Sequence, residues 1–162
     1  MATVQVGDKI PDATFKYVPY TPELEDGLAC GRWKGKKVVL FSVPGAFTPT
    51  CHVNHLPPYL KHYDDFKAKG VDVVAVLAAN DPFVMSGWAR VEGLKDKILA
   101  LSDVNAEWSK KLGLTVDLAQ AGLGLRTARY ALIIDDLTVT YVGAESAPGV
   151  TVSGAEAVLP RL

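Results

Sequence analysis

The chain has 162 residues, 49% of them hydrophobic, with 17 basic against 18 acidic side chains and a formal charge of -1. That length supports one buried core and is short for two ordinary domains, so residues 1–162 are expected to form a single compact domain. The balanced charge excludes a broad electrostatic footprint for nucleic acid or an anionic membrane, and no apolar run approaches the roughly 20 residues that cross a bilayer.

The N-terminus MATVQVGDKIPD lacks the basic-then-apolar pattern of a secretory signal, so a cytoplasmic location is expected. The last three residues, Pro160, Arg161 and Leu162, are a weak match to the S-K-L peroxisomal address, with proline where a small residue belongs.

The stretch from Gly7 to Gly35 is rich in proline and glycine, reads as irregular, and places Cys30 in or beside a loop. Lys36 to Val43, KKVVLFSV, is the first run that reads as a buried strand. A Gly/Pro/Thr turn follows, and Cys51 then falls in the first turn of a helix continuing through HVNHLPPYLKHYDDFKAKG. In that helix Leu56, Tyr59, Leu60, Tyr63 and Phe66 recur at helical spacing and form a core face, while Pro57 and Pro58 predict a kink after the first turn.

Val71 to Ala78 and Lys97 to Ser102 read as further strands, separated by a helix capped by Asp81, opened by Pro82 and ended near Gly93. A second helix is expected from Asp103 to Gly113, with its lysines in the last turn, where the backbone dipole favours positive charge. Arg129 to Asp135 and Leu137 to Gly143 read as a hairpin around Asp135 and Asp136, and SGAEAVLPRL as a terminal helix. Together these elements predict an α/β fold with a central mixed sheet covered by helices on both faces.

Two cysteines are too few for a disulfide framework, and no C-x-x-C is present, so Cys30 and Cys51 matter as redox-active thiols if they matter at all. Cys51, His52 and His55 lack a further ligand at metal-site spacing, and no glycine-rich phosphate loop follows a strand. Neither a metal nor a cofactor is therefore expected. The three histidines, His52, His55 and His62, crowd one segment and leave no separate base for a hydrolytic triad.

The octapeptide PGAFTPTC, Pro44 to Cys51, matches the P-x-x-x-T-x-x-C signature, and in this order resembles the type II, or Prx5-like, peroxiredoxins. The similarity continues through HLPPYL, KGVDVVAVLAANDPFVMSGW, LSD and RTARYALIID, and ACG before the first strand is most similar to fungal members. The resemblance implies a thioredoxin-like fold and a thiol-dependent peroxidase reducing hydrogen peroxide and organic hydroperoxides. Carried over by position, Cys51 would be the peroxidatic thiol oxidised to sulfenic acid. Pro44 would shield it, Thr48 would hold the peroxide, and Arg129, rather than the nearby Arg126, would be the active-site arginine.

Phe47, Phe83 and Trp88 read as packing residues, although the family places this region beside the active site and at a dimer contact. A homodimer is implied, with thioredoxin, glutaredoxin or glutathione as reductant. The segment VVAVLAAND, where many type II members carry a resolving cysteine, has none here, which leaves Cys30 or an external thiol for that step. A thioredoxin-like redox sensor, relay or holdase with slow turnover is the alternative.

The chemistry explains why such a site needs more than a thiol. Lowering any thiol's pKa from about 8.5 to about 6 raises its thiolate fraction at pH 7 roughly 30-fold, but costs roughly tenfold in nucleophilicity. The main acceleration must come from groups that stabilise charge moving between sulfur and the two peroxide oxygens. A threonine, helix-start N–H groups and an arginine meet that need.

Overall fold

The computed structural model describes residues 3–18, 25–95 and 97–162, with the side chains of residues 25–30 outside that description. Three parallel strands form its centre: β3 (Lys37–Ser42), β4 (Val73–Ala78) and β5 (Ile98–Ser102). β8 (Tyr130–Asp135) runs antiparallel to β3 and β9 (Thr138–Ala144) antiparallel to β8, while β1 (Thr14–Tyr17) pairs antiparallel with both β5 and β2 (Glu25–Ala29). The seven-stranded order is β2-β1-β5-β4-β3-β8-β9, and β6 (Thr115–Leu118) and β7 (Gly124–Thr127) make a separate hairpin.

Successive strand residues point to opposite faces, and here both faces are covered, so the central strands are apolar throughout. On one face Val39, Phe41, Val74, Val76 and Ile133 pack with Leu56 and Tyr59 of α1 (Leu56–Lys61), Phe66 of α2 (Tyr63–Ala68) and Met85 and Trp88 of α3 (Pro82–Val91). On the other face Val38, Leu40, Ala75, Leu77, Leu132 and Ile134 meet Phe15, Trp33 and Trp108, the last from α4 (Glu107–Leu112). Phe41 and Tyr59 stack in parallel with centroids 3.9 Å apart, which fixes α1 directly over β3.

The expected central strands and the α3 cap are present: Asp81 Oδ1 accepts from the backbone N–H groups of Phe83 and Val84. Four details differ from the sequence reading. The N-terminal stretch contains β1 and β2. A hairpin, β6–β7, precedes β8, on strands whose residues are mostly half exposed and so lack an apolar run. The β8–β9 turn is centred on Asp136 and Leu137, with φ of 47° and 68°. The segment after Asp103 begins as a 3-10 turn with Asn105 and Ala106 left-handed, and the Asp103 carboxylate caps Trp108 and Ser109 instead.

The helix carrying Cys51 is broken twice. Pro49 and Thr50 are helical, Cys51–His55 is a wide π turn in which Leu56 N–H bonds to the Cys51 carbonyl, and a second break falls at His62 between α1 and α2. Pro57 and Pro58 cannot donate to the carbonyls one turn back, so the interruption sits at and before the prolines, which themselves begin α1. The chain ends in α5 (Ala155–Val158) and a 3-10 turn. Among the described residues, no helix is long and apolar enough to cross a membrane.

Candidate active site

β3 delivers the site. Its last residue, Ser42, donates its hydroxyl to Ala128 O at 2.8 Å, and Val43 N–H bonds to Leu77 O, so the chain leaves the sheet in a defined direction. The turn Pro44-Gly45-Ala46-Phe47 is then held on three sides. Ala46 N–H donates to Asn80 Oδ1 at 2.9 Å, Thr127 Oγ1 donates to Val43 O at 2.8 Å, and Arg126 Nη1 donates to Pro44 O at 3.3 Å. Buried backbone groups need such partners, and their supply makes the turn rigid enough to hold Phe47 at a φ of 64°.

Thr48 ends the turn. Its hydroxyl donates to Gly45 O at 2.6 Å, which leaves the oxygen's lone pairs free to accept from a bound molecule. His52 N–H makes the first helical bond, to Thr48 O at 2.8 Å, so Cys51 lies in the opening turn with its N–H ahead of the ladder. Its side chain is 1% exposed.

Arg129 reaches the sulfur from the junction between β7 and β8. Its Nη2 donates to Cys51 Sγ at 3.1 Å and its Nη1 to His55 Nδ1 at 2.9 Å. Arginine only donates, so Nδ1 is bare, and the His55 proton sits on Nε2, which donates to Ser153 O at 2.9 Å. Burial, with the Arg129 charge acting in the same direction, holds the His55 pKa down to about 4, so its ring is neutral. Tyr59 donates to the same Ser153 carbonyl at 2.6 Å, and burial raises its phenol well above the ordinary range.

Glu145 shapes that acceptor loop. Its carboxylate takes the Thr151 N–H and hydroxyl at 2.7 Å each and the Val152 N–H at 2.7 Å. Burial alone would raise this carboxyl, but those hydrogen bonds outweigh it and hold the pKa below its ordinary value. An open cleft of about 490 Å³ lies beside Arg129, lined also by Pro44, Thr50, Glu145 and Pro148 among others.

Of the expected residues, Arg129 contacts Cys51, Pro44 lines one cleft with Arg129, and Thr48 closes the turn that leads into the Cys51 helix. Arg126, the competitor, binds Leu123 O at 2.8 Å and braces the turn rather than the sulfur. His55 and Glu145 were not anticipated; the signal for His55 was its place four residues after Cys51, on the same face of the helix. Cys30, expected in or beside a loop, stands between a strand and a short turn. It directly follows β2 and opens a 3-10 turn, Cys30–Trp33, anchored by Trp33, which is 1% exposed and stacks on Phe15. The Cys30 side chain itself lies outside the described residues.

A mixed α/β sheet with a cysteine in the helix turn after its central strand, contacted by an arginine, is the arrangement of a thioredoxin-like thiol protein. The redoxin family model matches residues 5–159. A Malassezia furfur protein carrying the peroxiredoxin name is 55% identical over 148 residues, covering 86% of this chain and 89% of its own. Reduced Prx3 of Vibrio vulnificus, solved in complex with hydrogen peroxide, superposes with a TM-score of 0.90 at 42% identity, covering 98% of this chain and 95% of its own. Peroxiredoxin 5 of Alvinella pompejana gives 0.84 at 34%, covering 98% and 97%. The chain belongs to the peroxiredoxins, within the redoxin family, and has their thioredoxin-like fold. It is accordingly a thiol-dependent peroxidase, and this membership favours turnover over the relay or holdase alternative.

Proposed function

We propose that Cys51 is the peroxidatic thiol and that Pro44, Thr48 and Arg129 complete the reacting site. The observation that carries this reading is the 3.1 Å contact between Arg129 Nη2 and Cys51 Sγ, beside a cleft whose lining includes Pro44 and Arg129. The thiolate attacks one peroxide oxygen, the O–O bond breaks, and sulfur becomes a sulfenic acid while the other oxygen leaves as water or an alcohol. Arg129 stabilises negative charge first on sulfur and then on the departing oxygen, and Thr48 accepts from the peroxide hydroxyl. His55 acts as a positioning residue: it holds the second arm of Arg129 without carrying a charge of its own.

The wide cleft suits organic hydroperoxides as well as hydrogen peroxide. Recycling is assigned to Cys30 or to an external thiol, with thioredoxin, glutaredoxin and glutathione as the reductants to try. A single redoxin match over residues 5–159 supports reading residues 1–162 as one domain. The exposed side chains of Phe47 and Phe83, at 48% and 65%, support assembly as a homodimer, which sedimentation would check. A thiol that must return to its reduced form suits a reducing compartment such as the cytoplasm, testable by fractionation.

The decisive experiment is a coupled peroxidase assay with each reductant on the wild type, Cys30→Ser and Cys51→Ser. Retained turnover in Cys51→Ser would sink the assignment of the reacting thiol.

A further inference from the structure

His52 follows Cys51 directly and ties its turn to α3 through one atom. Nδ1 of His52 lies 2.9 Å from Nε1 of Trp88 and 2.8 Å from Oε1 of Glu92, the C-cap residue of α3, while the ring stacks against Phe47 at 6.0 Å. The two polar contacts make opposite demands. Indole N–H only donates, so Trp88 needs a bare Nδ1; a carboxylate only accepts, so Glu92 needs a protonated one.

Neither state satisfies both partners. Trp88 is fully buried and has no water to turn to when His52 is protonated, whereas Glu92, 15% exposed, can turn to water when His52 is neutral. In the neutral ring the buried Trp88 favours the tautomer with the proton on Nε2 and a bare Nδ1; protonating the ring replaces that neutral bond with a charge-assisted one to Glu92, the stronger of the two. Around the His52 ring, Trp88 and Glu92 come from α3 and its cap and Phe47 from the active-site turn, and of these three Glu92 is titratable.

Arg129 and Ser153 hold the Cys51 turn from the side of Cys51 and His55, and His52 ties its other side to α3. Cys51–His55 is a π turn with Pro57 and Pro58 just beyond Leu56, and these prolines donate no hydrogen bonds, so side-chain ties such as that of His52 weigh on whether it opens. With its side chain only 1% exposed, Cys51 meets a small hydroperoxide in place but must be brought outward to meet a bulkier thiol.

We propose that His52 is a positioning residue that latches the Cys51 turn to α3, more tightly when protonated, and so sets how readily the oxidised sulfur is presented for reduction. This rests on the reading of Cys51 as the peroxidatic thiol. In the step concerned, the thiolate of a small external thiol attacks the sulfenic sulfur. An S–S bond forms, the S–O bond breaks, and hydroxide leaves and takes a proton to become water; Cys51 is reduced as the external thiol is oxidised. If presentation is slow, a second hydroperoxide transfers an oxygen atom to the sulfenate, giving sulfinic acid and water or alcohol.

The test uses the whole chain, hydrogen peroxide, and glutathione as the reducing probe, from an acid end at about pH 5.5 to an alkaline end at about pH 8. Glu92→Ala should raise the rate constant for glutathione reduction of the sulfenic acid about two- to fivefold at the acid end, and leave it unchanged at the alkaline end. Dividing variant by wild type at each pH cancels the titration of glutathione. The first oxidation should be the same in both proteins. His52→Ala, which loses both ties, should be faster at both ends.

Independently of turnover, the Trp88 indole N–H resonance should move with pH in the wild type and remain still in His52→Ala. A Glu92→Ala to wild-type ratio that is flat across pH, or a Trp88 resonance that does not move in the wild type, overturns the latch. Peroxide consumption surviving in Cys51→Ser would instead refute the assignment on which the latch depends.

Discussion

Arg129 divides its guanidinium between the Cys51 sulfur, 3.1 Å from Nη2, and His55 Nδ1, 2.9 Å from Nη1. The second contact makes the first a fixed geometry rather than one rotamer among several. On the proposed reading of the site, a planar fork aimed by a neutral acceptor is already in place when negative charge develops on sulfur and oxygen, so little reorganisation is needed in the transition state.

Replacing Arg129 with alanine should lower the second-order rate constant for peroxide by about 10²- to 10³-fold. The loss should persist at alkaline pH, where any thiol is ionised, because the missing contribution lies in the transition state. Arg129→Lys should recover little, since an ammonium cannot reach sulfur and His55 together. Stopped-flow rates across pH provide the check, and full recovery at high pH would show instead that the arginine acts only through thiol ionisation.

Cys51→Ser should abolish peroxide consumption and leave the fold in place, because the exchange removes the proposed nucleophile and very little volume. Circular dichroism and a peroxide-consumption assay on the same sample measure both halves of the expectation.

His55 makes stability depend on pH with a definite sign. The unfolded chain binds a proton on this ring below about 6.5, whereas the folded protein does so only below about 4. Falling pH through that window therefore favours unfolding, and the contribution should reach ~3 kcal/mol near its acid end, with none above it. Urea titrations of wild type and His55→Asn at several pH values should show this extra acid sensitivity in the wild type alone. Parallel pH profiles would mean that the ring does not stay neutral in the folded state.

Gly143→Ala tests the loop behind His55. A methyl group there would run into the Val152 carbonyl and come within 2.8 Å of Tyr141 Oη. Val152 accepts from Tyr141 at 2.7 Å and precedes Ser153, whose carbonyl receives both His55 and Tyr59. The variant should lose about 1–3 kcal/mol of stability and also react more slowly with peroxide. A stability loss without any change in rate would detach this loop from the positioning of Arg129.

Cys30→Ser should leave the first oxidation of Cys51 as it is, prevent any Cys30–Cys51 disulfide within or between chains, and increase over-oxidation to sulfinic acid. Non-reducing gels and intact mass after one equivalent of peroxide distinguish this from recycling by an external thiol alone, in which the wild type itself forms no such disulfide.

The strands read at Lys36–Val43, Val71–Ala78, Lys97–Ser102 and Arg129–Asp135 were legible because strands buried on both faces carry near-continuous apolar runs, and they coincide with β3, β4, β5 and β8. The PGAFTPTC turn and the Asp81 cap were legible for a related reason: each depends on residues adjacent in the chain. The hairpin β6–β7 was not, since its half-exposed strands carry no strong periodicity, and yet it leads into the junction that delivers Arg129. The resemblance preferred Arg129 to Arg126, three residues away, and the fold gives each its contact: Arg126 meets the Pro44 carbonyl and Arg129 the Cys51 sulfur. The roles open to His55 and His52 were likewise decided by distant partners, Ser153 for the first and Trp88 with Glu92 for the second. Local chemistry and periodicity act over a few residues and can be read in order along the chain. The protonation and aim of a buried side chain depend on donors and acceptors up to about a hundred residues away, which only the packed structure brings together.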